Sequence, residues 1–136
     1  YAGSFVSEMG MEVWEELAAA FQKHGWSVAS NCNGDKEKPV PGTTPIWFPY
    51  QEAVQVLEYA GAFLALRSGL CDIISQAQCK KVIIYESGFN AARYEYFSLN
   101  KMGLCTDAVE FVYGKDEKEV MKREIIRSVV FSERRN

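Results

Sequence analysis

Two short apolar runs, residues 63–66 (FLAL) and 82–85 (VIIY), constrain this chain more than any other feature. A strand with one wet face alternates polar and apolar residues. These two are apolar throughout, as strands covered on both faces are. Between them Leu70, Ile73, Ile74 and Ala77 recur at helical spacing. Strand, helix and strand of this kind make a parallel βαβ unit with a right-handed crossover.

The rest of the pattern extends that unit. Val13, Trp14, Leu17, Ala20 and Phe21 mark a helix over residues 8–24, with Gly25 as its stop. Residues 26–31 read as a strand. Residues 31–44, rich in Asn, Gly, Lys and Pro, read as a loop. Residues 46–48 read as a short strand. Ala53, Val56, Leu57 and Ala60 then give a helix entered at Pro49 and stopped at Gly61. Residues 88–104 are polar and aromatic and read as a loop with a short helix at 94–102. Residues 109–113 form the last strand. Asp116 with Glu119 resembles a capping box, and Met121, Ile125 and Val129 stripe the final helix. The expected fold is α/β, a Rossmann-like parallel sheet with helices on both faces. The first helix has no strand before it in this pattern, and residues 1–4 read as the last residues of one. Without such a strand the sheet keeps an open slot or edge, which favours association.

A length of 136 residues suits one domain with one core, residues 1–136. A net charge of −3 does not imply a broad nucleic-acid-binding face. No apolar run approaches the roughly 18 residues of a membrane span, and no signal peptide is visible. Both fit a cytoplasmic protein. The chain opens on Tyr1 rather than on Met, and so reads as a processed product or a piece with something missing ahead of it. Its four cysteines, Cys32, Cys71, Cys79 and Cys105, form no CxxC pair, and His24 is the one imidazole. A metal site is not expected. The thiols read as small, mostly buried residues of a reduced compartment.

The stretch ALRSGLCDII carries the chemistry. Arg67, Ser68 and Gly69 fall at the carboxyl end of one strand and the start of the next helix. Ligands of open α/β sheets bind there. Ser68 suits an N-cap, and Gly69 admits a ligand to the backbone. The amides of Gly69, Leu70 and Cys71 together with Arg67 would then cradle a phosphate or diphosphate. In the plainer reading Ser68 caps the helix and Arg67 pairs with Asp72. The stretch is neither GxxxxGK[ST] nor GxGxxG. Cys71 at a helix N-terminus is also a candidate nucleophile, but no base lies near it in sequence. His24 reads as a residue complementing a helix C-terminus. Asp72 reads as a helix-dipole partner, and Glu52 or Glu58 as solvated carboxylates able to reach a ribose hydroxyl. Arg93, Tyr94, Tyr96 and Phe97 form a cluster that could close over a sugar or pack a short helix. Arg134 and Arg135 read as a solvated tail.

The segments PVPGTTPIWFPYQEAVQVLEYAGAFLALRSGLCDIISQAQCKKVIIY and YFSLNKMGL resemble the carboxyl-terminal nucleotide-binding domain of GT-B-type glycosyltransferases of bacterial surface-polysaccharide synthesis. The turn is similar to the heptosyltransferase element whose Ser-Gly turn holds the donor diphosphate. The resemblance spans residues 1–113 and is specific in RSGLCD. It implies half of a GT-B fold. It implies diphosphate contacts from Ser68, Gly69, Leu70 and Cys71, with Arg67 beside them. Ile46, Trp47, Phe48 and Pro49 would flank the base, and Ser4 and Asn31 would face the interdomain cleft. The implied partners are a nucleotide sugar and an amino-terminal acceptor domain, which supplies the catalytic base in such enzymes. No cofactor is obligatory. The alternative is a non-catalytic α/β module that binds a partner protein or a small anion, with residues 31–44 as a contact surface.

Overall fold

The computed structural model describes residues 10–32, 38–86, 94–113 and 117–130. The elements are α1 (Gly10–Lys23), β1 (Ala29–Asn31), β2 (Thr44–Ile46), a 3-10 turn (Tyr50–Glu52), α2 (Ala53–Ala60), β3 (Ala62–Leu66), α3 (Gly69–Ile74), β4 (Lys80–Glu86), α4 (Tyr94–Phe97), β5 (Val109–Tyr113) and α5 (Lys118–Val130). The fold is α/β and Rossmann-like. Every strand pairing is parallel, and the described strands fall into two sheets, β1-β2 and β3-β4-β5.

Helices cover both faces of β3 and β4. On one face α1 and α5 bury Val13, Trp14, Leu17, Met121 and Ile125 against Leu66, Val82 and Ile84. On the other, Ala65, Ile83 and Tyr85 pack with Cys71, Leu99 and Ala108. A third cluster joins Phe48, Ala53 and Leu57 to Ile74 and Ala77, seating α2 and α3 on that same second face through Phe63. Continuous apolar strands follow from this arrangement, because successive side chains enter opposite layers.

Element ends follow from local hydrogen bonding. At the end of α1, Trp26 N–H donates to the Phe21 carbonyl at 3.0 Å and Gly25 N–H to Gln22 at 3.0 Å. Trp26 therefore belongs to the helix closure, and β1 starts at Ala29 rather than at residue 26. His24 Nδ1 donates to the Ala20 carbonyl at 2.9 Å, the helix-terminal role expected of it. β2 lies at 44–46, not 46–48. Pro45 sits opposite Ser30 in an outer strand, where a missing N–H costs no ladder bond, and Phe48 instead turns into the α2–α3 cluster. α3 stops at Ile74, before the expected Ala77, where Ser75 Oγ donates back to the Asp72 carbonyl. α4 spans only four residues, because Ser98 directs its side chain to β5 and its Oγ to the Lys101 amide. Lys80 Nζ donates to the Val129 carbonyl at 2.8 Å, closing the last turn of α5. The expected strand at 1–4, the cap at Asp116, and Arg93, Arg134 and Arg135 lie outside the described residues. No helix among those described is long and apolar enough to cross a membrane.

Candidate functional site

The turn from β3 to α3 sits at the carboxyl edge of the larger sheet, as the sequence pattern requires. Arg67 continues β3 by one bond, its N–H donating to the Ile84 carbonyl at 2.9 Å. Its side chain turns inward. Nε donates to the Phe97 carbonyl at 2.8 Å, Nη1 to the Ser68 carbonyl at 2.6 Å, and Nη2 pairs with Asp72 at 2.6 Å. Only 7% of that side chain is exposed. The plainer reading of Arg67 is thus the one observed. The guanidinium fastens the turn to α4 and does not stand in solvent as a phosphate fork.

Ser68 occupies the N-cap position with extended backbone, φ −155° and ψ 175°, but its side chain makes no capping bond. Ser68 Oγ lies 3.8 Å from Cys71 Sγ instead. The Ser68 carbonyl accepts from the Cys71 N–H at 3.0 Å, so that amide is not free as expected. Gly69 and Leu70 remain the first two amides of the helix, which have no intrahelical acceptor. Gly69 is exposed, and a Cβ added there would meet nothing within 4 Å. Its φ lies outside the left-handed region, so neither backbone shape nor packing demands a glycine. Cys71 is fully buried and donates its thiol hydrogen to the Leu66 carbonyl at 3.4 Å. Burial pushes its thiol above the ordinary range, outweighing the hydrogen bonding with Ser68 and the nearby Arg67 charge. A reactive thiolate is not what this site produces.

Behind the turn lies a partly buried polar knot that the sequence did not reveal. Glu110 of β5 accepts from the Tyr85 hydroxyl, from Ser98 Oγ at 2.5 Å and from the Leu99 N–H at 2.9 Å. Burial, followed by the Glu110 carboxylate, raises the Tyr85 phenol far above its usual range. Tyr94 packs edge-on against Tyr85 at 4.9 Å, with Lys101 Nζ over its ring at 4.7 Å. Tyr94 is therefore a packing residue, while Tyr96 is exposed. A glutamate in a strand and a serine thirteen residues from Tyr85 carry no sequence signal of contact.

The remaining candidates gather elsewhere. Trp47 is 61% exposed, Phe48 is buried, Pro49 caps the 3-10 turn, and Glu52 is exposed at the start of α2. Glu58 Oε2 accepts from the Gln78 amide at 2.8 Å and is so engaged. Asn31 and Phe48 help to line a largely apolar cavity of about 190 Å³ between β1 and β3, walled also by Trp14, Phe21, Val28 and Leu64. No residue of 67–71 lines it. Ser4 lies outside the described residues. No protein-family model, curated protein or solved structure matches this chain. Among the described residues no group of three or more His, Cys, Asp or Glu side chains could hold a metal ion, and all four cysteines are free thiols. Cys32 and Cys71 are buried, as expected, while Cys79 and Cys105 are partly exposed.

Proposed function

We propose that this chain is the donor-binding domain of a glycosyltransferase, which holds the diphosphate of a nucleotide sugar at the β3–α3 turn. The sugar would pass to a hydroxyl acceptor in bacterial polysaccharide or cell-surface glycan synthesis, with an acceptor domain supplying the catalytic base. The observation that carries the reading is Gly69: a glycine just past the carboxyl end of β3, exposed, with open space above it and no conformational need to be glycine. A side chain there would stand where a phosphate must approach the Gly69 and Leu70 amides. Those amides would stabilise charge on the departing diphosphate, a role that needs no metal. Arg67 serves by holding the turn, and Trp47 offers an exposed aromatic surface for a base. A cytoplasmic location belongs to the same reading.

The test is calorimetric titration with UDP, GDP, CDP and ADP, each against its monophosphate. One diphosphate binding more tightly than its monophosphate, and lost in Gly69→Val, is the expected result. Binding that survives Gly69→Val sinks the cradle. The second reading, a non-catalytic module for a partner protein, draws on Trp47, Tyr50 and Tyr59, which are 61%, 65% and 96% exposed. Failure of all four diphosphates would move it ahead.

A further inference from the structure

We infer that Met102 is a redox modification site, where a peroxide converts the thioether to a sulfoxide whose oxygen takes a hydrogen bond from Arg67. Arg67 Nη2 lies 3.7 Å from Met102 Sδ. A guanidinium carries five N–H donors and no acceptor. Three of the Arg67 contacts go to oxygen, at Phe97, Ser68 and Asp72. The contact to Met102 goes to sulfur, a weak acceptor. One soft partner thus stands among three hard ones on a side chain that anchors the β3–α3 turn.

The backbone fixes where that sulfur sits. Met102 N–H donates to the Ser98 carbonyl at 2.9 Å and Leu104 N–H to the Leu99 carbonyl at 3.0 Å, with Gly103 at φ +77°. The segment therefore closes as a helix carboxyl end does. Glu110 of β5 accepts from Ser98 Oγ and the Leu99 N–H, and Asn100 bonds both the N–H and the carbonyl of Ala108. One segment, fastened to the sheet, presents both the Phe97 carbonyl and the Met102 sulfur to Arg67. Met102 is nevertheless 47% exposed, so a small oxidant in solvent reaches it. Of the other described methionines, Met121 is buried in the α1–α5 cluster and Met11 is exposed on α1.

The chemistry balances with hydrogen peroxide as the oxidant. A lone pair of Sδ attacks one peroxide oxygen, the S–O bond forms and the O–O bond breaks. Sulfur loses two electrons. The proton on the transferred oxygen passes to the departing hydroxide, which leaves as water, and the product is the reducible sulfoxide. An N–H···O bond of about 2.9 Å, bent at the sulfoxide oxygen, places its sulfur about 4 Å from the nitrogen. Sδ already stands at 3.7 Å, so a small shift suffices. The rotatable bonds of the methionine side chain supply it. Oxidation at Met102 therefore exchanges a weak contact for a hydrogen bond to a charged donor. It tightens the turn, whereas a sulfoxide in a packed core disrupts it. The inference stands on the Arg67 contacts and does not depend on the ligand proposed above.

The test treats the whole chain with dilute hydrogen peroxide, then with a thiol reductant that restores cysteine and spares sulfoxide. Peptide mass spectrometry should find the sulfoxide at Met102 and not at Met121. Nuclear magnetic resonance should then show the Arg67 Nε–H exchanging about tenfold more slowly than before treatment, as a new hydrogen bond to a charged group implies. Met102→Leu, a near-isosteric change at an exposed position, should abolish that slowing. Methionine sulfoxide reductases should reverse it in the unmutated chain. A Met102 that stays unoxidised while Met11 reacts would overturn the inference. So would unchanged or faster Arg67 exchange once the Met102 sulfoxide has formed, or equal slowing in Met102→Leu.

Discussion

Arg67 Nη2 lies 2.6 Å from Asp72 Oδ1, bridging the β3–α3 turn, but the two side chains stand in different surroundings, 7% and 47% exposed. The guanidinium also serves two carbonyls, at Phe97 and Ser68. Asp72 is thus one partner among several. Arg67→Ala should cost about 2–3 kcal/mol, since hydrogen bonds to charged groups contribute about 1.5–3 kcal/mol. Asp72→Ala should cost at most about 1 kcal/mol, as a half-exposed ion pair does. Urea denaturation of both variants measures the difference. Equal losses would show that the ion pair, rather than the carbonyl contacts, holds the turn.

Two glycines at the ends of β3 should respond oppositely to the same methyl group. Gly61 has φ +88° and faces the Trp26 ring at 3.7 Å from a built Cβ, so Gly61→Ala should cost about 1–2 kcal/mol through left-handed strain. Gly69→Ala meets no neighbour and should leave stability within about 0.5 kcal/mol. Denaturation midpoints check the pair. A large loss at Gly69 would mean that the turn itself needs the glycine, removing the reason to assign it to a ligand.

Tyr85 sets the alkaline limit of the fold. Its folded pKa lies above the unfolded value of 10.0, raised by burial and then by Glu110. The native state therefore keeps a proton that the unfolded chain loses above that pH. The resulting stability is complete below about pH 10 and falls as pH rises beyond it. Absorbance titration should show the Tyr85 phenol ionising only with unfolding. Tyr85→Phe should flatten the alkaline decline, at a cost of about 1.5–3 kcal/mol near neutrality for the lost bond to a carboxylate.

Thiol labelling should separate the cysteines. Cys71 is fully buried with its thiol pKa raised, so a disulfide reagent should reach it only on unfolding. Cys105, partly exposed, should react in the native state. Fast native labelling of Cys71 would reopen thiol chemistry at the turn.

The strands β3 and β4 were legible because burial on both faces writes a continuous apolar run. α1 and α2 were legible through their 3.6-residue stripes and following glycines. Boundaries shifted where a side chain or cap competed with the period. Trp26 closes α1 instead of opening β1, and Ser98 bonds to Glu110 instead of extending α4. The position of the RSGLCD turn at a strand end was readable from pattern alone. The inward turn of Arg67 was not, because its acceptor at Phe97 is thirty residues away. The same holds for Lys81, whose side chain is 2% exposed and whose ammonium meets Asp107 at 3.1 Å from the far end of a loop.

The division of the described sheet implies an order of events in folding. β3, β4 and β5 are consecutive in the chain and adjacent in space, so their pairing closes comparatively short loops. β1 and β2 contribute three residues each, too little for a ribbon that persists alone. The α1–α5 contact, sealed by Lys122 and Glu16, joins residues 106 apart in sequence and bears the largest closure entropy. The carboxyl-terminal three strands are thus the natural nucleus, and the amino-terminal layer condenses onto a template already built. Mutations in β4 should slow folding, whereas those at Lys122 should chiefly hasten unfolding.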